Sequence, residues 1–210
     1  MRKTASGLSL QMSKTEGQNE AIRLAVAKLA NADLSARAEN LGFTFSDAGT
    51  VLIRAFGSEC AVNLKNFDIV NQKTGQPVKP DLKIIILHYL MFEEKFSETE
   101  KLISFRELPG GRFYLEPYKS RSVNILISRI KNDAVLLKKN LSRFEWRETC
   151  PGDVGAVIHA IGKIHVTLVY YCGDEEMPPS ADLLYDSSIG KVFNTEDVTV
   201  IASLLCRGLL

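Results

Sequence analysis

Cysteine is scarce and scattered in this chain of 210 residues. No Cys-x-x-Cys pair occurs, and the four thiols are Cys60, Cys150, Cys172 and Cys206. Zinc and iron–sulfur sites use short Cys/His spacings that this sequence lacks, so a metal cluster is not expected. Four dispersed cysteines without a secretory signal instead predict reduced, mostly buried thiols.

The chain also lacks an excess of either charge and any long apolar run. It has 26 basic and 25 acidic residues, which argues against a nucleic-acid partner. The N-terminus has no apolar h-region of about 7–15 residues, so secretion is not indicated. The longest apolar run, residues 84–92, is far shorter than the ~20 residues of a membrane span. We therefore expect a cytoplasmic protein without a membrane partner.

Several catalytic motifs are missing as well. The sequence contains no GxxxxGK[ST], no GxGxxG after a predicted strand, no GxSxG and no HExxH. The nucleotide triphosphatase, dinucleotide-binding, serine-hydrolase and zinc-protease interpretations therefore lose their main support. The sequence leaves enzymatic activity undecided and favours a non-catalytic protein.

The patterns that are present predict an α+β fold with an antiparallel or mixed sheet packed by several helices. Residues 1–15 are polar and unpatterned and predict a flexible N-terminal lead, and residues 16–210 form a single domain. Apolar positions at helical spacing follow from residue 16, and a short helix between Asp33 and Gly42 comes next. Residues 43–72 alternate short β-prone runs with turns and predict an antiparallel meander, after which Pro80 begins a helix.

The second half of the chain follows the same alternation. Residues 102–114 contain Pro-Gly-Gly within an aromatic and basic stretch and predict a shaped loop. Two helices follow, separated at Asn132-Asp133. Residues 154–160 and 163–172 predict strands, and the second is apolar on both faces, as in a central strand. A short strand at 183–185 and a last helix capped by Asn194 or Thr195 complete the domain.

The densest acidic feature is Asp174-Glu175-Glu176, directly after the predicted central strand. Paired carboxylates there could perform acid/base chemistry or bind a hard cation. The simpler interpretation is a solvent-exposed run that caps a loop, because catalytic carboxylates need an environment that separates their pKa values. The sequence favours the simpler interpretation.

The predicted loop offers a second candidate. Phe105-Arg106 and Gly110-Gly111-Arg112 could form a concavity in which backbone N–H groups and two guanidinium groups accept an anion. The alternative is a tight turn whose arginines pair with neighbouring glutamates. The loop remains the best ligand-contact candidate, since loops concentrate function.

The three histidines differ in context. His88 lies in a helical apolar stripe, which is typical of a hydrogen-bonded core residue. His159 and His165 flank the Ile161-Gly162 turn and are expected to face each other across a hairpin. Two imidazoles in that arrangement are adequate for a metal or an axial cofactor contact, although no third ligand is evident.

From Ile85 onward the chain contains a series of short segments with a specific order and spacing. They are residues 87–90, 103–111, Tyr114, 152–153, 173–178, 184–186 and 195–197. In these segments the sequence resembles the family catalogued as domain of unknown function 3786. The resemblance implies a link to corrinoid methyltransferase and iron–sulfur proteins of one-carbon metabolism in anaerobes. Longer members carry a cysteine-rich cluster domain that this chain lacks, so no iron–sulfur cluster is expected, and the Asp-x-His-x-x-Gly motif of cobalamin-binding domains is absent too.

The resemblance leads to the hypothesis of a non-catalytic corrinoid (cobalamin)-binding accessory or transfer protein, whose partner is a corrinoid protein or methyltransferase. His159 or His165 would be the axial ligand in preference to His88. Two alternatives stay open: an assembly factor without a small ligand, and a metal-dependent enzyme that uses Asp174, Glu175 or Glu176. The expected cofactor contacts are Phe105, Arg106, Gly110, Gly111, Arg112, Tyr114, His159, His165, Asp174, Glu175 and Glu176.

Overall fold

The first half of the chain is a helical lead into a β-meander and a buried helix. The computed structural model describes residues 5–46 and 49–210, with side chains from Thr15 onward within those ranges. A 3-10 helix at Ser35–Arg37 precedes the second α-helix. The regular elements are α1 (Ala5–Leu29), α2 (Ala38–Leu41), β1 (Thr44–Ser46), β2 (Thr50–Ala55), β3 (Ser58–Asn63), β4 (Ile69–Asn71) and α3 (Pro80–Leu90).

The second half alternates helices with the longest strands of the molecule. A further 3-10 helix, Phe105–Glu107, connects β5 to α4. The elements are β5 (Leu102–Ser104), α4 (Gly111–Arg121), α5 (Val123–Ile130), α6 (Ala134–Leu141), β6 (Trp146–Glu148), β7 (Val154–Ile161), β8 (Ile164–Tyr171), β9 (Ser180–Asp186), α7 (Ile189–Val192) and α8 (Thr195–Gly208).

The described residues form one nine-stranded sheet in the order β4-β3-β2-β7-β8-β9-β5, with β1 paired to β2 and β6 paired to β7. Every ladder is antiparallel. The meander β1–β4 joins the β6–β9 half through the single register pair Ala55–Ile161. The predicted α+β class is therefore confirmed, and the junction between the two halves of the sheet is narrow.

The core lies between the sheet and the helices α3, α5 and α8. Val166, Leu168 and Tyr170 of β8 are completely buried, as are Ile201 and Leu205 of α8. A strand that is covered on both faces has a continuous apolar sequence, and the apolar run of β8 predicted such a central strand. The prediction of a central β8 is confirmed.

Several helices begin or end where the sequence predicted, because the residues that cap or end a helix act locally. Gly42 ends α2 in the left-handed conformation, with φ of 69°, which glycine adopts without steric cost. The Asn194 side chain accepts a hydrogen bond from the Asp197 N–H at 2.8 Å and so caps α8. The predicted break at Asn132-Asp133 separates α5 from α6.

The observed secondary structure differs from the predicted one in two places. Residues 102–114 are not one loop, because a short strand and a 3-10 helix fill its first part and α4 begins at Gly111. α1 begins at Ala5, inside the predicted lead, and residues 1–4 of that lead lie outside the described residues. The apolar pattern detected only the later turns of α1, since its first turns are polar.

The thiols are all free, and two of the four are buried. Cys60 and Cys206 lie in the core, Cys172 is half-buried and Cys150 is exposed. Burial raises the pKa of Cys60 to about 11 and that of Cys206 to about 12. The expectation of mostly buried thiols holds for two of the four, and the redox state of the thiols stays a prediction.

No helix in the described part of the chain combines the length and the apolarity that crossing a membrane requires.

Candidate functional site

The predicted site residues lie in three separate places. His159 and His165 are on the β7–β8 hairpin, residues 105–114 are at the β5 edge of the sheet, and residues 174–176 follow the far end of β8. β8 has eight residues, and at about 3.3 Å per residue the histidine end and the acidic end are more than about 20 Å apart. None of residues 105–114 lines the cavity that the two histidines border. The structure therefore does not bring the three groups into one site.

The two hairpin histidines face each other, as the sequence predicted. His159 on β7 is the register partner of His165 on β8. Their ring centroids are 5.6 Å apart and the rings are nearly perpendicular, at 76°. The turn that closes the hairpin is made possible by Gly162, whose φ of 56° favours glycine.

The hydrogen bond of His159 fixes its tautomer. Its Nε2 lies 2.7 Å from the carbonyl oxygen of Gly162, and because a carbonyl only accepts, Nε2 carries the proton. Nδ1 then holds a lone pair, and it is buried without a hydrogen-bond partner in the described structure. Burial lowers the pKa of His159, while the Gly162 carbonyl opposes that shift. His159 is consequently a neutral imidazole with one unused acceptor.

His165 is oriented differently. Its Nδ1 lies 3.3 Å from Oε1 of Glu98, and 44% of its side chain is exposed. A carboxylate that contacts Nδ1 orients the ring, which is how metal-binding histidines are commonly held. The His165 side chain is therefore oriented by Glu98 and partly open to solvent.

Both rings line an open groove with a volume of about 630 Å³ on the outer face of the sheet. Leu52 and Phe96 contribute apolar surface. Polar groups surround them, including an ion pair of 2.6 Å between Nη1 of Arg54 and Oε2 of Glu145. The Arg54 hydrogen bond holds the pKa of Glu145 below its usual range. The remaining lining residues are Gly42, Thr44, Glu59, Ser97, Glu98, Gly162 and Lys163.

A buried tyrosine ties this groove to the core. The Tyr89 hydroxyl on α3 donates to the Leu41 carbonyl at 2.8 Å and accepts from the Lys163 N–H at 2.9 Å. A Cβ atom on Gly162 would lie 2.3 Å from the Tyr89 ring. The hairpin that carries both histidines is therefore fixed against α3.

The second group, residues 105–114, lies away from the groove. Phe105 is buried and stacks on Tyr118 with ring centroids 3.9 Å apart. Gly110, the residue before α4, has the left-handed conformation, with φ of 74°. Arg106, Arg112 and Tyr114 are exposed.

The third group, the acidic run, is a capped turn in solvent. Oδ1 of Asp174 accepts the backbone N–H groups of Glu176 and Met177 at 2.9 and 2.8 Å, which lowers the pKa of Asp174. Glu175 and Glu176 are exposed. This is the loop-capping arrangement that the sequence favoured. Among the residues with a described position, no three His, Cys, Asp or Glu side chains are grouped to hold a metal ion.

His88 has the structural role that was expected for it. Its Nδ1 lies 2.9 and 3.0 Å from the two carboxylate oxygens of Asp197, and this contact joins α3 to α8. The sequence did not identify Arg54, Glu98 and Glu145 as groove residues. They lie on a meander strand, in a polar loop and before β6, and no local pattern marks them.

No curated protein and no solved structure shows significant similarity to this chain. A family model does match it, over residues 33–208. The matched span includes the β7–β8 hairpin, the 3-10 helix of residues 105–107 and the acidic turn. Because the match covers most of the chain, the protein belongs to the family described as Domain of unknown function (DUF3786).

Proposed function

We propose that the protein is a non-catalytic corrinoid-binding accessory protein, which holds a corrinoid in the His159–His165 groove for a methyl-transfer protein. The observation that carries this proposal is the histidine pair itself. The His165 ring lines the groove while Glu98 contacts its Nδ1, and its neighbour His159 is a neutral ring with an unpartnered nitrogen. The link to corrinoids comes from the family resemblance.

The donor chemistry of the pair fits a cobalt centre. Imidazole nitrogen is a good ligand for first-row transition metals, and a carboxylate on the other ring nitrogen orients it. His165 would be the residue that holds the cobalt, because its side chain is 44% exposed, whereas Nδ1 of His159 is buried. His159 acts as a positioning residue whose neutrality avoids a second positive charge beside the ligand.

The walls of the groove also suit a corrinoid, which has an apolar ring rimmed by amides. Leu52 and Phe96 offer apolar contact, and Arg54, Glu145 and Lys163 offer donors and acceptors. The open groove of about 630 Å³ would cover one face of the macrocycle. When bound, a corrinoid supplies a cobalt ion that accepts and donates methyl groups.

The proposed partner is a corrinoid protein or methyltransferase in the cytoplasm. Four free thiols are consistent with a reducing compartment. Phe113 and Tyr114, which are 91% and 63% exposed at the start of α4, provide aromatic surface of the kind found in protein interfaces.

The test uses cobinamide, a corrinoid without a nucleotide base, so that the protein supplies any axial nitrogen. Cob(II)inamide is added anaerobically to protein labelled with ¹⁵N-histidine and to unlabelled protein, and electron paramagnetic resonance spectra are recorded. Ligation by imidazole gives a nitrogen triplet on the cobalt lines of the unlabelled sample. The triplet becomes a doublet in the labelled sample.

The three histidines provide matched controls. His165→Gln should abolish the nitrogen splitting, and His88→Gln should retain it because His88 pairs with Asp197 outside the groove. His159→Gln should retain the splitting and weaken binding, which is measured by titrating the protein with cobinamide and following the visible absorbance. A flat titration with the wild-type protein, or splitting that survives in His165→Gln, would overturn the assignment.

A further inference from the structure

A second cavity, on different elements from the histidine groove, lies between the 3-10 helix Phe105–Glu107, α4 and β9. Its volume is about 260 Å³, and none of its lining residues belongs to the groove. We propose that this cavity binds a small apolar monocarboxylate. Its lining residues are Ser104, Phe105, Arg106, Leu115, Tyr118, Lys119, Asp182, Leu183 and Leu184.

The charges at this cavity are not neutralised within the protein. Arg106 and Lys119 both line it, and neither side chain makes a hydrogen bond or ion pair within residues 5–46 and 49–210. Glu107, the acidic neighbour of Arg106, is occupied by the N–H and hydroxyl of Ser104 at 2.7 and 3.0 Å. Asp182 is the one carboxylate in the described lining, so two positive groups face one negative group. This balance suits a ligand with a single negative charge.

The interior of the cavity is apolar. Phe105 and Tyr118 are buried and stacked face to face, and Leu183 is buried beside them. The Tyr118 hydroxyl is already bonded to the Tyr185 hydroxyl at 2.9 Å. The inner wall therefore provides hydrophobic contact, and the polar selectivity comes from the rim. A cavity of this size holds a ligand smaller than a typical drug molecule.

The cavity is rigid because its two basic elements are packed backbone to backbone. A Cβ atom on Gly111 would lie 2.0 Å from the Phe105 carbonyl oxygen, so only glycine lets α4 lie directly on the 3-10 helix. The Phe105–Tyr118 stack fixes the same contact from the other side. The backbone positions of Arg106 and Lys119 are thereby fixed at one cavity before any ligand arrives, which lowers the cost of reorganising the protein on binding.

The test compares benzoate with benzamide, which has nearly the same shape and no charge. Binding is followed by the methyl ¹³C shifts of Leu115 and Leu184, with Leu52 in the histidine groove as an internal reference. Benzoate should move the first two methyl groups saturably with a dissociation constant of about 1 mM, as expected for so small a ligand. Benzamide should bind at least about fivefold more weakly, because it lacks the charge-assisted contacts.

Substitutions of the basic and the acidic residues should change the affinity for benzoate in opposite directions. Arg106→Gln and Lys119→Gln should each weaken benzoate binding about three- to tenfold, and Asp182→Asn should strengthen it by about threefold or more. Arg112→Gln is the matched control, because Arg112 is an exposed arginine of α4 that does not line the cavity. All four positions except half-buried Lys119 are exposed, so the fold should tolerate the changes.

Equal binding of benzoate and benzamide, or an Arg112→Gln effect as large as that of Arg106→Gln, would overturn the proposal. Shifts confined to the Leu52 methyl groups would do so as well. None of these results depends on the corrinoid titration, because the two cavities share no residue.

Discussion

Replacing Tyr89 with phenylalanine tests whether one buried hydroxyl holds the histidine hairpin against the helical core. The change keeps the ring, which stacks on Phe193 at 6.0 Å, and removes two hydrogen bonds. The Leu41 carbonyl and the Lys163 N–H then lose their partner. A buried polar group that is left unpaired costs about 1–3 kcal/mol. Because Lys163 is only half-buried, we expect a total loss of about 2–3 kcal/mol.

Urea unfolding measures this loss. With a slope of about 2–3 kcal/mol/M, the midpoint of Tyr89→Phe should fall by about 1 M while the slope stays unchanged. Tyr114→Phe is the control, since that side chain is 63% exposed, and it should shift the midpoint very little. A Tyr89→Phe midpoint within experimental error of the wild type would refute the role given to the hydroxyl.

Three further predictions concern the same region and the core. Gly162→Ala should destabilise the protein by more than about 2 kcal/mol, seen as a lower melting temperature, because it combines a φ of 56° with a Cβ only 2.3 Å from the Tyr89 ring. A thiol reagent at pH 8 should label Cys150 quickly and Cys60 and Cys206 only after unfolding, because burial raises the pKa of both core thiols. Proton NMR should give His159 a pKa below the usual 6.5. The contribution of His159 to the free energy of unfolding should be complete above pH 6.5 and decrease as the pH falls towards the folded-state pKa. If the free energy of unfolding depends on pH in the same way in His159→Gln, this prediction is wrong.

Most of the fold follows from local patterns, because its elements carry their own signals. Each of these signals acts within a few residues. They are the apolar spacing, Pro80 at a helix start, Gly42 at a helix end and Asn194 as a cap. α4 has no such signal, since Gly110 precedes it, Gly111 is its first residue and Pro117 lies inside it. That helix is stabilised by tertiary contacts, namely the Phe105–Tyr118 stack and the close approach that Gly111 allows. Tertiary packing that overrides propensity is not visible in a single sequence.

The candidate site, too, could be predicted only in part from the sequence. That His159 and His165 face each other could be predicted in part, because they flank a tight turn. Their exact pairing also depends on the irregularity between His159 and Ile161, which shifts the register by one residue. The partners that give the two rings their chemistry could not be predicted. Glu98 comes from a loop 67 residues before His165, and Arg54 reaches Glu145 across 91 residues. These contacts depend on how the two halves of the sheet join, and that junction rests on one register pair.

The narrow junction also explains why the groove lies where it does. β2 and β7 share the pair Ala55–Ile161, supported by hydrogen bonds from the Phe56 N–H to the Ala160 carbonyl and from the Gly162 N–H to the Arg54 carbonyl. Beyond this point the strands separate, so the outer faces of both half-sheets border one open space. Antiparallel strands that stayed paired along their length would have filled that space with cross-strand side-chain contacts. A ligand in the groove would therefore contact both half-sheets, and its binding should raise the stability of the weakest joint in the sheet.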